Sequence, residues 1–186
     1  EAAQTLSAYY AGDLEAAYAR APAAMKVLPP GDGSWTSMAV LTVFAESRWK
    51  AIKKATKENL DFPPEWLTDV HAAYAVLLKH PLGTEDQVLW HHDLMDWLGA
   101  GQQSERILTE CLKRWDGSPA LHARLRAHVL KTKGAQALEP IYEALCKGPD
   151  ASPVMDAYAG LASTAVAEQY RRLRRPDAAL EAYQRS

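Results

Sequence analysis

Apolar residues recur at spacings of three and four along almost the whole 186-residue chain, which is the period of an amphipathic helix. Alanine, leucine, glutamate, lysine and arginine dominate, and strand-like alternation is scarce. Clusters of proline, glycine and capping residues interrupt the pattern, as at 29–34, where Ser34 predicts a helix start. The pattern therefore predicts an all-α protein of about ten helices. They cover 2–11, 13–28, 35–58, 64–79, 85–98, 102–115, 119–132, 135–147, 153–173 and 177–186.

Short links between neighbouring helices predict antiparallel hairpins, and part of the chain repeats. "DGSP" at 116–119 returns as "DASP" at 150–153, 34 residues later, each time with a serine to cap a helix and a proline in its first turn. The second helix of two hairpins also carries a small, a large and a small residue on one face, where small residues allow close helix packing. These residues are Ser104, Leu108 and Cys111, and Ala137, Ile141 and Ala144.

Two stretches resemble the tetratricopeptide repeat (TPR) family: "YYAGDLEAAYARAPAAMKVLPP" (9–30) and "AVAEQYRRLRRPDAALEAYQRS" (165–186). The first has Gly12 at its turn. The resemblance implies an α-solenoid, a right-handed superhelix of antiparallel helix hairpins, over one domain spanning 1–186. The matching positions are Ala17, Ala21 and Ala24 in the first stretch, and Ala167, Tyr170, Ala179 and Tyr183 in the second.

The chain departs from the family pattern in its middle. The resemblance extends over 85–149 but not over 31–84, where helix 35–58 exceeds the length of a standard repeat helix. We therefore expect 31–84 to form an atypical hairpin. The last helix reaches Ser186 where the repeat pattern calls for further residues, so we expect the chain to be a fragment of a longer protein.

The segment "VLWHHDLMDWLGAG" (88–101) carries the densest candidate chemistry. His92 and Asp96 are four residues apart and share a helical face, as two metal ligands must, whereas His91 points about 100° away from His92. No recognised ligand spacing supports a metal, and a third ligand would have to come from another helix. The candidates for it are His71, His122 and His128. The competing interpretation makes Trp90, Leu94 and Trp97 a core-facing stripe of an ordinary repeat helix.

The resemblance implies a partner-binding groove on the concave surface. Counted on the family pattern, the groove residues are Leu89, Asp93, Asp96, Trp97, His122, Arg126, Arg171 and Arg172. Asp93 and Asp96 would then face Arg126, Arg171 and Arg172, and such mixed charge selects a peptide or helix by complementarity. We expect a non-catalytic scaffold or adaptor that binds a protein or peptide. The alternatives are a metal-assisted or small-molecule enzyme that uses His92 and Asp96, and a structural spacer whose charges only solvate a face.

Net charge, the length of the apolar runs and the cysteine content narrow the possible classes of function. A net charge of −2 gives no global electrostatic signature of nucleic-acid binding, and we interpret the lysine stripe at 50, 53, 54 and 57 and "RRLRR" (171–175) as solvated faces. The apolar runs 38–45 and 72–78 fall short of the about 18 residues of a membrane span. No cofactor motif occurs, and we expect no cofactor. Cys111 and Cys146 predict no disulfide and favour a reducing compartment such as the cytoplasm, although residue 1 resembles a processed end and leaves the compartment open.

Overall fold

The computed structural model describes residues 1–29, 31–147 and 152–186. Within these ranges the chain forms ten α-helices, one short 3₁₀ turn and no strand, which confirms the all-α prediction. The helices are α1 (Ala2–Tyr10), α2 (Leu14–Lys26), α3 (Trp35–Lys57), α4 (Glu65–Leu77), α5 (Glu85–Trp97), α6 (Gly101–Cys111), α7 (Pro119–Thr132), α8 (Leu138–Cys146), α9 (Pro153–Arg172) and α10 (Pro176–Gln184); the 3₁₀ turn, Ala135–Ala137, precedes α8. None of the helices in these ranges is both long and apolar enough to span a bilayer.

Side-chain caps explain why several helices begin where they do. The Ser34 hydroxyl accepts a hydrogen bond from the Ser37 backbone amide at 3.2 Å, and the Ser118 hydroxyl accepts one from the Leu121 amide at 3.2 Å. Ser152 occupies the corresponding position before α9, but its side chain makes no capping bond. The rest of the predicted "DASP" turn, Asp150 and Ala151, lies outside the described residues.

The described residues form two compact units, Glu1–Gln87 and Val88–Ser186. In the N-terminal unit, α3 packs against α1, α2 and α4. Ala17, Ala21 and Ala24 of α2 are fully buried, as the small-residue pattern predicts, because their short side chains let neighbouring helices approach closely.

In the C-terminal unit, α6 packs on α7, and α9 packs on both α8 and α10. Ser104, Leu108 and Cys111 are buried, as predicted. The equivalent prediction for α8 is wrong, because Ala137 and Ile141 are half-buried and Ala144 is exposed. The buried residues of α8 are instead Leu138 and Tyr142, whose larger side chains reach the core of the unit. Both cysteines are free thiols, and burial raises the pKa of the Cys111 thiol to about 11.

Candidate functional site

Helix α5 turns two tryptophans toward solvent. Trp90 is 45% exposed and Trp97 is 41% exposed, so the prediction that they form a core-facing stripe with Leu94 is wrong for both. They are seven residues apart and therefore share one helical face. The buried side of α5 consists of Val88, His91, His92, Leu94 and Met95. Helical phase explains the error, because the buried side is centred on the histidines and Met95 rather than on the indoles.

Four of the predicted groove residues lie on this accessible side of α5. Leu89, Asp93 and Asp96 are half-buried, and Trp97 is exposed. Trp90, which the sequence analysis assigned to the core, joins them there. The exposed side of α5 therefore combines two large aromatic side chains with two carboxylates.

The two carboxylates pair with cations of α7. Asp93 binds the Arg124 guanidinium, and Asp96 Oδ2 accepts a hydrogen bond from Lys131 Nζ at 3.0 Å. The bond from Lys131 lowers the pKa of the Asp96 carboxyl below its usual range. Arg124 and Lys131 are seven residues apart and share one edge of α7.

Arg126, which was predicted to face Asp93 and Asp96, lies on a different edge of α7. It follows Arg124 by two residues and is therefore rotated by about 200° around the helix axis. Burial is the dominant influence on the phenol of Tyr142 in α8 and raises its pKa to about 12. The positive charge of Arg126 acts on the same phenol and opposes this rise. The cations that pair with Asp93 and Asp96 are therefore Arg124 and Lys131 rather than Arg126.

His122 is fully buried and so is not available to a partner in this structure, contrary to its predicted place in a groove. Its Nε2–H donates to the Asp116 carbonyl at 2.7 Å, and its Nδ1 lies 2.9 Å from the Tyr142 hydroxyl. Its ring also stacks on Tyr158 with a centroid distance of 3.6 Å. Burial lowers the pKa of the imidazole, which favours a neutral ring that fastens α7 to its neighbours.

Arg171 and Arg172 are both exposed near the end of α9. Arg171 Nη2 donates to Glu168 Oε2 at 2.8 Å, and the same glutamate accepts a bond from Tyr183 of α10. Arg171 is therefore paired with a carboxylate of its own helix, whereas it was predicted to face Asp93 and Asp96.

The metal candidates His92 and Asp96 meet His128 of α7. The His92 and His128 rings pack edge to face with centroids 5.3 Å apart, and His128 Nδ1 lies 3.5 Å from Asp96 Oδ1. His128 Nε2 is 3.1 Å from the carbonyl of Gly101, to which it donates. Within residues 1–29, 31–147 and 152–186, no three histidine, cysteine, aspartate or glutamate side chains come together as a metal site.

A second polar cluster, in the N-terminal unit, was missed by the sequence analysis. Lys50, assigned to a solvated lysine stripe, binds Glu46 Oε1 at 2.7 Å and the Tyr18 hydroxyl at 2.6 Å. The Tyr9 hydroxyl donates to Glu46 Oε2 at 2.7 Å, so the cluster ties α1, α2 and α3 together. The spacing of four residues between Glu46 and Lys50 was the available signal. The stripe also has an aromatic neighbour that was overlooked, since Lys53 lies over the Trp49 ring.

Ser37 and His80 approach each other like a nucleophile and its base, at 3.2 Å. His80 Nδ1, however, accepts a hydrogen bond from the Leu82 amide, so Nε2 carries the proton and cannot take one from the serine. Both Ser37 Oγ and His80 Nε2 also contact the Asp32 carbonyl. The pair therefore fastens the start of α3 to the end of α4 rather than activating a hydroxyl.

Comparison of the chain with protein-family profiles, with curated proteins and with solved structures gave no match.

Proposed function

We propose that the C-terminal unit is a protein-interaction module that binds a peptide or a partner helix on the α5–α7 face, defined by Trp90, Asp93, Asp96, Trp97, Arg124 and Lys131. The pair of exposed tryptophans carries this proposal. Tryptophan is the residue type most enriched among the few that dominate binding energies, and clustered exposed apolar surface in a protein commonly marks an interaction site. The likeness to TPR hairpins, itself part of the proposal, favours the same use.

The spacing of the indoles defines what would fit. Seven residues of helix separate Trp90 from Trp97 by about 10 Å along α5. A partner helix with apolar residues seven apart, or a polyproline II segment with apolar side chains three residues and about 9 Å apart, would place one side chain at each indole. The proposed partner is therefore recognised by two apolar anchors.

The ion pairs Asp93–Arg124 and Asp96–Lys131, whose carboxylates lie between the two indoles along α5, would set the orientation of the bound partner. Both are partly solvent-exposed, so each retains oxygen and nitrogen atoms that a partner's polar groups can reach. Exposed pairs of this kind add little stability to the fold, about 0 to 1 kcal/mol each, so they are free to serve recognition. The negative side chains lie on α5 and the positive ones on α7. The face therefore favours a partner that presents positive groups to α5 and negative groups to α7.

The experiment selects peptides that bind the chain from a displayed random library and measures their affinity for variants by fluorescence anisotropy. The Trp90→Ala/Trp97→Ala double variant should weaken binding by about 30-fold or more, as expected when a central anchor is lost. Trp35→Ala removes an equally exposed tryptophan, 51% accessible, from the N-terminal unit and is the matched control. Circular dichroism verifies that each variant folds.

A second comparison isolates the charges. Asp96→Lys should weaken the selected peptides, and the exchange Asp96→Lys/Lys131→Asp should restore the internal pair while changing which peptides are preferred. If the tryptophan double variant binds as tightly as the parent chain, the α5–α7 face is not the binding site. A spacer without a binding face then becomes the better description.

A further inference from the structure

The N-terminal unit contains an open apolar groove that the proposed function does not use. Helices α2 and α4 each pack against α3, and the groove lies between them with α3 as its floor. It consists of two adjoining cavities of about 590 and 350 Å³ that share Met25, Leu41 and Val76. Because they share these three residues, we treat them as one continuous groove.

The walls of the groove are apolar and accessible. Ala72, Ala75 and Val76 lie on one face of α4 at helical spacing, and Val76 is 50% exposed. Pro22 and Met25 of α2 form the opposite wall. Valine and methionine at the surface leave a strip of apolar area that a partner could remove from water.

The charged side chains beside the groove that make neither a hydrogen bond nor an ion pair are positive. Lys26 lies on the α2 side and Lys79 on the α4 side, and neither ammonium group has a hydrogen bond or ion pair within the described ranges. The other cation, Arg48, is neutralised by Asp69 at 2.9 Å. The Asp32 carboxylate accepts bonds from two neutral donors, the Ser34 amide at 2.9 Å and the Ser34 hydroxyl at 2.7 Å, so it keeps its negative charge at the start of α3. The groove therefore carries a net positive charge of one, because Lys26, Lys79 and Arg48 outnumber Asp69 and Asp32.

We propose that this groove binds an amphipathic helix of a partner protein whose apolar face is flanked by aspartate or glutamate. Along α4 the groove runs from Asp69 to Lys79, about 15 Å, which is the length of nearly three helical turns. Such a helix would lay its apolar stripe on Met25, Leu41 and Val76. One carboxylate on each side of that stripe would reach Lys26 on one wall and Lys79 on the other. The groove shares no residue with the α5–α7 face, and its proposed partner is a different one.

The open shape of the groove favours a helix over a small molecule as its occupant. A small-molecule site normally buries most of its ligand, whereas half of Val76 remains exposed and the α4 wall is accessible along its length. A helix supplies its own outer surface and needs only one face covered. The apolar strip on α4, in which Ala75 and Val76 follow Ala72 by three and four residues, is itself the complement of a helical stripe.

The probe is a synthetic amphipathic helical peptide with leucines three and four residues apart and glutamates on both sides of the leucine stripe. Its matched control has lysine in place of each glutamate. Both are titrated into the chain by isothermal calorimetry at low and high salt. The acidic peptide should bind more tightly than the basic one by about tenfold or more, and added salt should reduce the difference.

Charge reversal tests the site. Lys26→Glu/Lys79→Glu should invert the preference so that the basic peptide binds better. Lys54→Glu/Lys57→Glu makes the same change in net charge at exposed lysines of α3 outside the groove and should leave the preference unchanged. Val76→Asp, at a half-exposed position, should weaken binding of the acidic peptide by about tenfold or more. The new carboxylate puts a negative charge on the apolar strip, where it repels the glutamates of the peptide.

The proposal is overturned if the two peptides bind equally, or if the control lysine pair changes the preference as much as the groove pair does. Binding of dodecanoate at the groove without binding of the acidic peptide would assign it to a small anionic amphiphile and also overturn the helix. Trp90→Ala/Trp97→Ala should leave acidic-peptide binding unchanged, so the two proposals can fail separately.

Discussion

The imidazole of His92 packs edge to face on that of His128, with ring centroids 5.3 Å apart, in the part of the C-terminal unit where α5 meets α7. Only 3% of His92 is exposed. Burial lowers its pKa to about 4, and the charges of Arg124, His128 and Lys131 act in the same direction, against the weaker opposing influence of Asp96. His92 is therefore neutral in the folded protein at physiological pH.

We predict that this histidine makes the fold sensitive to acid. Its folded pKa lies below the unfolded value of 6.5, so the unfolded chain binds more protons below pH 6.5. Stability is therefore fully present above pH 6.5 and falls as the pH drops toward 4. At about 1.4 kcal/mol per pH unit, His92 alone removes about 2 kcal/mol by pH 5. Urea unfolding at pH 7.5 and pH 5 measures this loss.

His92→Gln cannot take up the proton and should flatten this pH dependence, even if lost packing lowers stability at every pH. His71→Gln is the comparison, because burial also lowers the pKa of the half-buried His71. His71→Gln should reduce the dependence of stability on pH by less than His92→Gln does. An unchanged slope in His92→Gln would assign the acid sensitivity to other groups.

The two hydrogen bonds of the buried His122 predict a large cost for losing the imidazole nitrogens. His122→Phe keeps an aromatic ring but leaves the Asp116 carbonyl and the Tyr142 hydroxyl without their partner, which should destabilise the unit by about 2 to 4 kcal/mol. Tyr142→Phe removes one side of the same network and should cost about 1 kcal/mol. Thermal unfolding separates the two. Equal and small losses would mean that stacking, not hydrogen bonding, holds His122.

Gly83 is predicted to tolerate no side chain. A Cβ placed on it would lie 2.3 Å from the Leu77 carbonyl oxygen and 3.1 Å from that of His80, so the backbone after α4 would have to shift. Gly83→Ala should cost about 1 to 3 kcal/mol of unfolding free energy, measured by urea denaturation. Gly101→Ala is the control, since nothing lies within 4 Å of its Cβ position and it begins α6. There alanine should be neutral or stabilising by up to about 1 kcal/mol.

Arg174 adopts a left-handed backbone conformation with φ of 56°, in the turn between α9 and α10. Left-handed backbone costs a residue with a Cβ about 1 kcal/mol or more, and glycine avoids that cost. Arg174→Gly should therefore raise the free energy of unfolding by about 0.5 to 1 kcal/mol. Arg172→Gly removes an equally exposed arginine from the α9 helix and should lower it by about 1 kcal/mol. If both variants lose stability, Arg174 is not strained.

The helices could be predicted from the sequence because their signals are local. Spacings of three and four define each amphipathic run, and caps such as Ser34 and Ser118 form bonds with amides only three residues away. Observed and predicted helix bounds differ by few residues for this reason. The largest shift of a single helix end is in α6, which ends at Cys111 rather than at residue 115.

The candidate site could be predicted only in part. Asp93, Asp96 and Trp97 share one accessible side of α5, because their spacing fixes their angular positions, and their place in a binding groove stays a prediction. The cations that pair with the two aspartates were not predicted correctly. Arg124 and Arg126 are two residues apart and therefore lie on nearly opposite edges of α7. Which edge faces α5 depends on how the two helices are rotated about their axes.

The sequence by itself therefore determined the helices, their order and many of the residues that share a face, since these follow from backbone geometry within a few residues. Tertiary structure decided which face is buried, and thus that His92 and His122 are interior while Trp90 and Trp97 are exposed. It also decided that α2 and α4 leave an apolar groove over α3. Such outcomes depend on packing between residues far apart in the chain, where the rotation of one helix against the next is set by the sum of many small contacts.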